Sequence, residues 1–185
     1  MRADNRKSSQ VALGGISCGL CLMLMFMTGL IPFSEYAMPA LAGIVLIVMV
    51  VEFSGRAAAV AYGAVAILSL FVVPSKEAAA FFVCFFGYYP IIKFQLDKIR
   101  PKALGYGVKF VLFNAAVIAA GLATIYLFGL TELLDEFGSF GRYSVLVLLA
   151  FGNVFFVLYD RMVGNLVDAY ILWFRPKVLR RNQRM

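Results

Sequence analysis

Long apolar blocks, separated by short polar or proline-bearing breaks, fill this chain almost from end to end. Six blocks stand out. Val11 to Phe33 is closed by Pro32 and the polar Ser34-Glu35, and Ala37 to Phe53 is ended by Ser54-Gly55-Arg56. Ala57 to Val73 stops at Pro74-Ser75-Lys76-Glu77, and Ala78 to about Leu96 follows it. After a basic, glycine-containing link come Val108 to Leu130, the acidic stretch Thr131 to Arg142, and a final run from Tyr143 to Phe174. A membrane-crossing helix needs roughly 20 apolar residues to cover about 30 Å of hydrocarbon. The pattern therefore predicts an all-α integral membrane protein, a bundle of six transmembrane helices. The final run is too long for one crossing, so its lower part is expected to bend or leave the membrane.

Composition sharpens this reading. Hydrophobic residues make up 63% of the 185 positions and charged residues 15%, whereas a soluble domain carries about 25% charge and less than half apolar content. The charges then set an orientation, because Lys and Arg in short loops stay on the cytoplasmic side. With the N-terminus inside, the inner segments hold Arg2, Arg6, Lys7, Arg56, Lys93, Lys98, Arg100, Lys102, Lys109 and the basic run Arg175 to Arg184, while Lys76 and Arg142 fall outside. Glu35, Glu77, Glu132, Asp135 and Glu136 also fall outside. The net charge of +7 is on this reading a topology signal and not a nucleic-acid footprint. The expected organisation is a cytoplasmic segment over residues 1–10, a six-helix membrane domain over 11–174 and a basic cytoplasmic tail over 175–185. The apolar stretch of the first block exceeds that of a signal peptide and lacks a small-residue cleavage site, so a retained first span is expected.

The fourth block contains "FFGYYPIIK", Phe85 to Lys93, with two tyrosines and a proline where a membrane helix usually carries leucine. Tyr88 and Tyr89 suit a cytoplasmic interface and Pro90 can bend the helix. This is either an aromatic belt with a kink or a hinge that lets the half-helix move. Lys93 and Asp97, four apart, can pair on one helical face. In the first block Ala12, Gly15 and Gly19 line one side, with Gly14 and Cys18 beside them. Such a face serves either packing within the bundle or docking of a separate membrane subunit.

Several chemistries drop out. The chain has no histidine, which removes His-based metal sites and the usual base for a serine or cysteine nucleophile. It has no G-x-x-x-x-G-K-[ST] loop for ATP. Cys18-Gly-Leu-Cys21 matches C-x-x-C but sits inside an apolar helix, where packing is the expected role. No catalytic residue, metal or cofactor is assigned. A lipid-metabolising enzyme ranks last, since Asp160 and Asp168 lack the further acids a metal-dependent phosphotransferase needs.

Polar groups within membrane spans are costly. Glu35, Tyr36, Lys76 and Tyr126 cluster toward the outer ends, and Asn153 lies near mid-membrane. Converging, they would form an aromatic, mixed-charge pocket for a small solute; taken singly, each is equally an anchor or an interhelical bond. On the inner side Asn114 is expected to bond between helices. Asp160-Arg161, Asn165 and Asp168 form a polar seam in which the Asp-Arg pair could neutralise itself.

Six spans in 185 residues, the small face of Ala12, Gly15 and Gly19, Ile31-Pro32 closing the first helix, and the stretches "MPALAGIVLIVMVVEFSGR" and "SLFVVPSKEAAAFFVCFFGYYPIIK" together resemble the substrate-binding S components of energy-coupling factor transporters. The resemblance runs from about Val11 to Leu130. It implies a subunit in a bacterial plasma membrane that captures a vitamin or other small organic solute from outside. It also implies partners: a transmembrane coupling subunit, contacted through Ala12, Gly15 and Gly19, and ATPase subunits. The family's pocket near the outer face corresponds to Glu35, Tyr36, Lys76, Tyr126 and Asn153. Lack of histidine departs from the nickel and cobalt members, and glycines replace the more typical alanines of the first helix. The chain is also similar to the small rod-shape-determining membrane protein of bacterial cell-wall machinery, which implies a non-enzymatic scaffold instead.

Overall fold

The computed structural model describes residues 2–31, 34–128 and 144–174, and those residues contain no strand. The helices are α1 (Arg2–Phe26, continued by a 3-10 turn to Gly29), α2 (Ala37–Glu52), α3 (Gly55–Val72), α4 (Lys76–Phe81), α5 (Tyr89–Leu96), α6 (Lys102–Phe128) and α7 (Ser144–Ala169). Four stretches are long and apolar enough to cross a membrane: Lys7–Gly29, Gly55–Val72, Lys76–Leu96 and Lys102–Tyr126. α2 is apolar but has 16 residues, about 24 Å at 1.5 Å per residue. The described residues thus hold four membrane-crossing candidates, with α2 and α7 as further helices of the bundle. The acidic stretch from Thr131 to Arg142 and the basic tail over 175–185 lie outside the described residues. The final run, whose lower part is expected to bend or leave the membrane, continues from α7 directly into a π-helical turn at Tyr170–Phe174.

Local chemistry fixes the helix ends. Ser54 and Ser75 each sit in extended backbone just before a helix, and each side-chain oxygen accepts a backbone N–H three residues on at 3.2 Å. Capping in this way satisfies one of the otherwise orphaned donors of a helix start. At the other end of α3, Lys76 Nζ donates to the carbonyls of Leu70 and Val73 at 2.9 and 3.2 Å, placing a cation against the negative end of the helix dipole.

The fourth apolar block is one rod interrupted in its middle. Phe82–Phe86 adopts π-helical winding, Gly87 and Tyr88 form a turn, and α5 restarts at Tyr89. Pro90 therefore occupies the first turn of a new helix, where its missing N–H costs nothing, and the break lies before it. In the π register Gly87 N–H donates to Phe82 O at 2.8 Å, which deprives Val83 O of its α-helical partner. The Tyr62 hydroxyl from α3 donates to that carbonyl at 2.7 Å.

α2 occupies the centre. One core packs Cys21 and Met25 of α1, Ala42 and Leu46 of α2, Ala61 and Val65 of α3, and Phe82. The other packs Ile47 of α2 with Phe85, Tyr89, Phe113 of α6, and Phe156, Tyr159 and Val163 of α7. Gly43 makes the junction possible, since a Cβ there would overlap the Phe86 carbonyl oxygen. Outside, the bundle carries bare apolar side chains, with Val60 76% exposed, Phe71 80% and Phe155 70%. Water would penalise such a surface and hydrocarbon would not.

Candidate functional site

The densest polar chemistry lies where α5, α6 and α7 meet. Lys93 (α5), Lys109 (α6) and Asp160 (α7) are 7%, 3% and 8% exposed. Lys93 Nζ donates to Asp160 Oδ1 at 2.6 Å and pairs with Asp97 Oδ2 at 3.2 Å. Lys109 Nζ donates to both Asp160 oxygens, at 3.1 and 3.3 Å, and to Asp97. The Tyr89 hydroxyl donates to Asp160 Oδ1 as well. Two ammonium groups and two carboxylates therefore form one neutral cluster, and the Asp160 carboxylate takes donors from three side chains. The cluster reaches the surface through Asp97, whose side chain is 47% exposed.

Charges out of water need this completeness, because removing them from solvent costs several kcal/mol each unless partners and hydrogen bonds replace the hydration shell. Aromatic packing supplies the dry wall. Tyr89 stacks on Phe85 at 4.8 Å, Phe113 stacks on Phe156 at 4.8 Å, and Phe156 stands edge-on to Tyr89 at 5.4 Å. The Lys109 ammonium lies 5.4 Å from the centre of the Tyr106 ring, within cation–π range. Gly164 leaves room for the Lys93 stem, whose Cε would lie 3.7 Å from a Cβ at that position.

Lys93 and Asp97 pair as their spacing predicts, and Asn114 does bond between helices. The expected Asp160-Arg161 pair is corrected: Asp160 is buried with the lysines while Arg161 is exposed, since neighbours in sequence on a helix point about 100° apart. Asn165 and Asp168 are exposed too, so the polar seam of the last helix divides, with Asp160 alone facing inward. From sequence alone Lys109 reads only as a topology charge. Its spacing of three from Tyr106 and four from Phe113, on a helix otherwise apolar for many residues, marks it in retrospect as inward-facing.

The proposed outer-pocket residues occupy three places. Glu35, Tyr36 and Lys76 share one corner: Ser75 Oγ donates to Glu35 at 3.4 Å, Tyr36 donates to Glu77 at 2.6 Å, and the Tyr36 ring stands edge-on to Phe81 at 5.0 Å. Tyr126 is 81% exposed on α6. Asn153 exchanges two hydrogen bonds with Asn114, at 3.0 and 3.1 Å, between α6 and α7. Of the partner face, Ala12, Gly15 and Gly19 are exposed, and a Cβ on Gly15 or Gly19 would meet nothing within 4 Å. α1 packs instead through Gly14, Ser17, Cys18 and Cys21, with Cys18 and Cys21 Sγ 3.7 and 3.2 Å from the Ala61 and Ala42 carbonyls. The cysteines are free. Among the described residues no group of His, Cys, Asp and Glu side chains is disposed to hold a metal ion.

No family model, curated protein or solved structure matches the chain.

Proposed function

We propose that this chain is the membrane-embedded, solute-binding subunit of an importer whose energy comes from a separate ATP-hydrolysing partner, in the manner of an energy-coupling factor S component. The observation that carries the reading is the outward stripe of Ala12, Gly15 and Gly19. The bundle packs α1 by its other face and leaves this one open. A row without side-chain bulk lets another membrane helix come close enough for dispersion contact.

Two further features support transport. A membrane-depth helix interrupted at Phe82–Tyr88 lies beside intramembrane charges, a combination suited to moving elements and solute pathways. The corner of Glu35, Tyr36 and Lys76 offers charged and aromatic groups for an organic solute. Six crossings, cytoplasmic termini and a bacterial plasma membrane belong to the same proposal.

One observation favours a scaffold instead. Asn153 is satisfied by Asn114, and the Lys93, Lys109 and Asp160 cluster is complete within the bundle, so neither holds a polar group in wait for a ligand. Extraction of small molecules from the purified protein separates the two. The importer subunit is expected to carry a stoichiometric organic solute that Glu35→Ala and Lys76→Ala lose while still inserting. Wild-type protein that carries none, from a membrane whose cells take up the solute normally, would favour the scaffold.

A further inference from the structure

The break in the fourth apolar rod deprives two backbone carbonyls of their α-helical donors, and a tyrosine from another helix stands at each. Val83 O loses its donor because Gly87 N–H bonds to Phe82 O at 2.8 Å. Tyr62 of α3 serves it, its hydroxyl donating at 2.7 Å. The Tyr62 ring also lies over the turn, since a Cβ on Gly87 would come within 2.6 Å of it. Phe86 O is the second carbonyl. Four residues on, where an α-helix places the donor, stands Pro90, which has no N–H.

Tyr159 of α7 stands beside Phe86. The two rings meet edge-on at 5.2 Å. The Tyr159 hydroxyl lies 3.3 Å from the point that a Gly43 Cβ would occupy, and the Phe86 carbonyl oxygen overlaps that same point. This hydroxyl is buried and has no partner among the described residues. A donor that lacks an acceptor in a dry core is costly, and here donor and carbonyl flank one bare Cα without bonding. The broken rod thus lies between an engaged tyrosine and a disengaged one.

We propose that the rod is a two-position latch worked by these tyrosines. In the position seen, Tyr62 on Val83 O holds the π winding. In the other, Gly87 N–H returns to Val83 O and the segment takes ordinary α winding. Tyr62 is then released, and the Phe86 carbonyl, turned off Gly43, receives the Tyr159 hydroxyl. Each position gives one tyrosine a backbone carbonyl and withholds it from the other, so the exchange lies near balance and a bias on either side shifts it. The latch links α3, which packs on α1, to α7, which holds Asp160. It is a property of the rod and holds for an importer subunit and a scaffold alike.

The chain carries its own reporters. Cys84 is half-buried within the π segment and close enough to Tyr62 and Tyr88 to interact with both electrostatically, so release of Tyr62 uncovers it. Cys21, buried in the core, is uncovered only when the bundle opens. The test treats the full chain in nanodiscs with N-ethylmaleimide and follows the adduct at each cysteine by peptide mass spectrometry. Tyr62→Phe is expected to speed Cys84 labelling roughly fivefold, the worth of one hydrogen bond, with Cys21 unchanged. Gly87→Ala, which displaces the Tyr62 ring, is expected to do the same. Tyr62→Phe/Tyr159→Phe is expected to fall back to the wild-type rate, because the second change removes the bond that holds the alternate position. A merely structural role for Tyr159 would leave that rate high or raise it further. An unchanged Cys84 rate in both Tyr62→Phe and Gly87→Ala, an acceleration that Tyr159→Phe does not reverse, or Cys21 rising in step with Cys84 would each overturn the latch.

Discussion

Lys93 and Asp160, sixty-seven residues apart in the chain, meet at 2.6 Å inside the bundle. The contact joins α5 to α7, and Lys109 brings in α6 through the same carboxylate. Breaking one side of a buried pair leaves a charge without compensation, at a cost of about 3–5 kcal/mol. Asp160→Ala and Lys93→Met are each expected to lower the midpoint of thermal unfolding in detergent. Lys93→Met/Asp160→Ala leaves Lys109 with Asp97, a neutral remainder, so its cost is expected to fall well below the sum of the two. Strict additivity would show that the two side chains do not share a cluster.

Two buried tyrosines are expected to respond differently to loss of a hydroxyl. Tyr89 donates to Asp160, while the Tyr159 hydroxyl has no partner among the described residues. Hydrogen bonds to charged groups are worth about 1.5–3 kcal/mol, and an unmet buried hydroxyl is a cost that its removal relieves. Tyr89→Phe is expected to destabilise by about that amount, and Tyr159→Phe to be neutral or stabilising. Equal losses in the same unfolding assay would contradict the assignment.

Gly43 and Gly15 are both helical glycines in apolar surroundings, with opposite expectations. A Cβ at Gly43 would overlap the Phe86 carbonyl oxygen, so Gly43→Ala must push α2 away from the π-helical segment, an overpacking cost of about 1–3 kcal/mol. Gly15 faces open space, and Gly15→Ala should gain up to about 1 kcal/mol of helix propensity. Protease resistance of the two variants in membranes gives the comparison directly.

Asn114 and Asn153 should couple. Each bonds the other and a carbonyl four residues earlier on its own helix. Interhelical polar pairs in membranes are worth about 0.6–2 kcal/mol. A double-mutant cycle over Asn114→Ala and Asn153→Ala is expected to return about 1 kcal/mol of coupling. A coupling near zero, with solute retention lost only in the Asn153 variant, would return Asn153 to the binding pocket.

What sequence could show here was set by the range of each interaction. The helical class and most block boundaries follow from hydropathy, a local property; α2 ends at Glu52 where Ser54-Gly55 breaks the pattern. The Lys93–Asp97 pair was legible because four residues make one helical turn. Asp160 was legible as an anomaly but not in its partners, since Lys93 and Lys109 reach it only through packing of three helices. The π segment was invisible: winding by one extra residue leaves the apolar pattern of "FFVCFFGYY" unchanged, and Pro90 drew attention to a position beyond the actual break. Similarly, the spacing of Ala12, Gly15 and Gly19 gave a face, while the direction it points depends on α2 and α3 covering the opposite side.

On the proposed importer reading, this open face of α1 docks an ATPase-coupled membrane partner while the bundle holds a solute. Native mass spectrometry of the protein gently extracted from its own membrane, alongside Gly15→Leu, tests both halves together. Wild type is expected with a small organic solute and an ATPase-bearing partner, and Gly15→Leu with the solute alone. Wild-type chain recovered empty and with cell-wall proteins, or Gly15→Leu still bound to the ATPase-bearing partner, would contradict it.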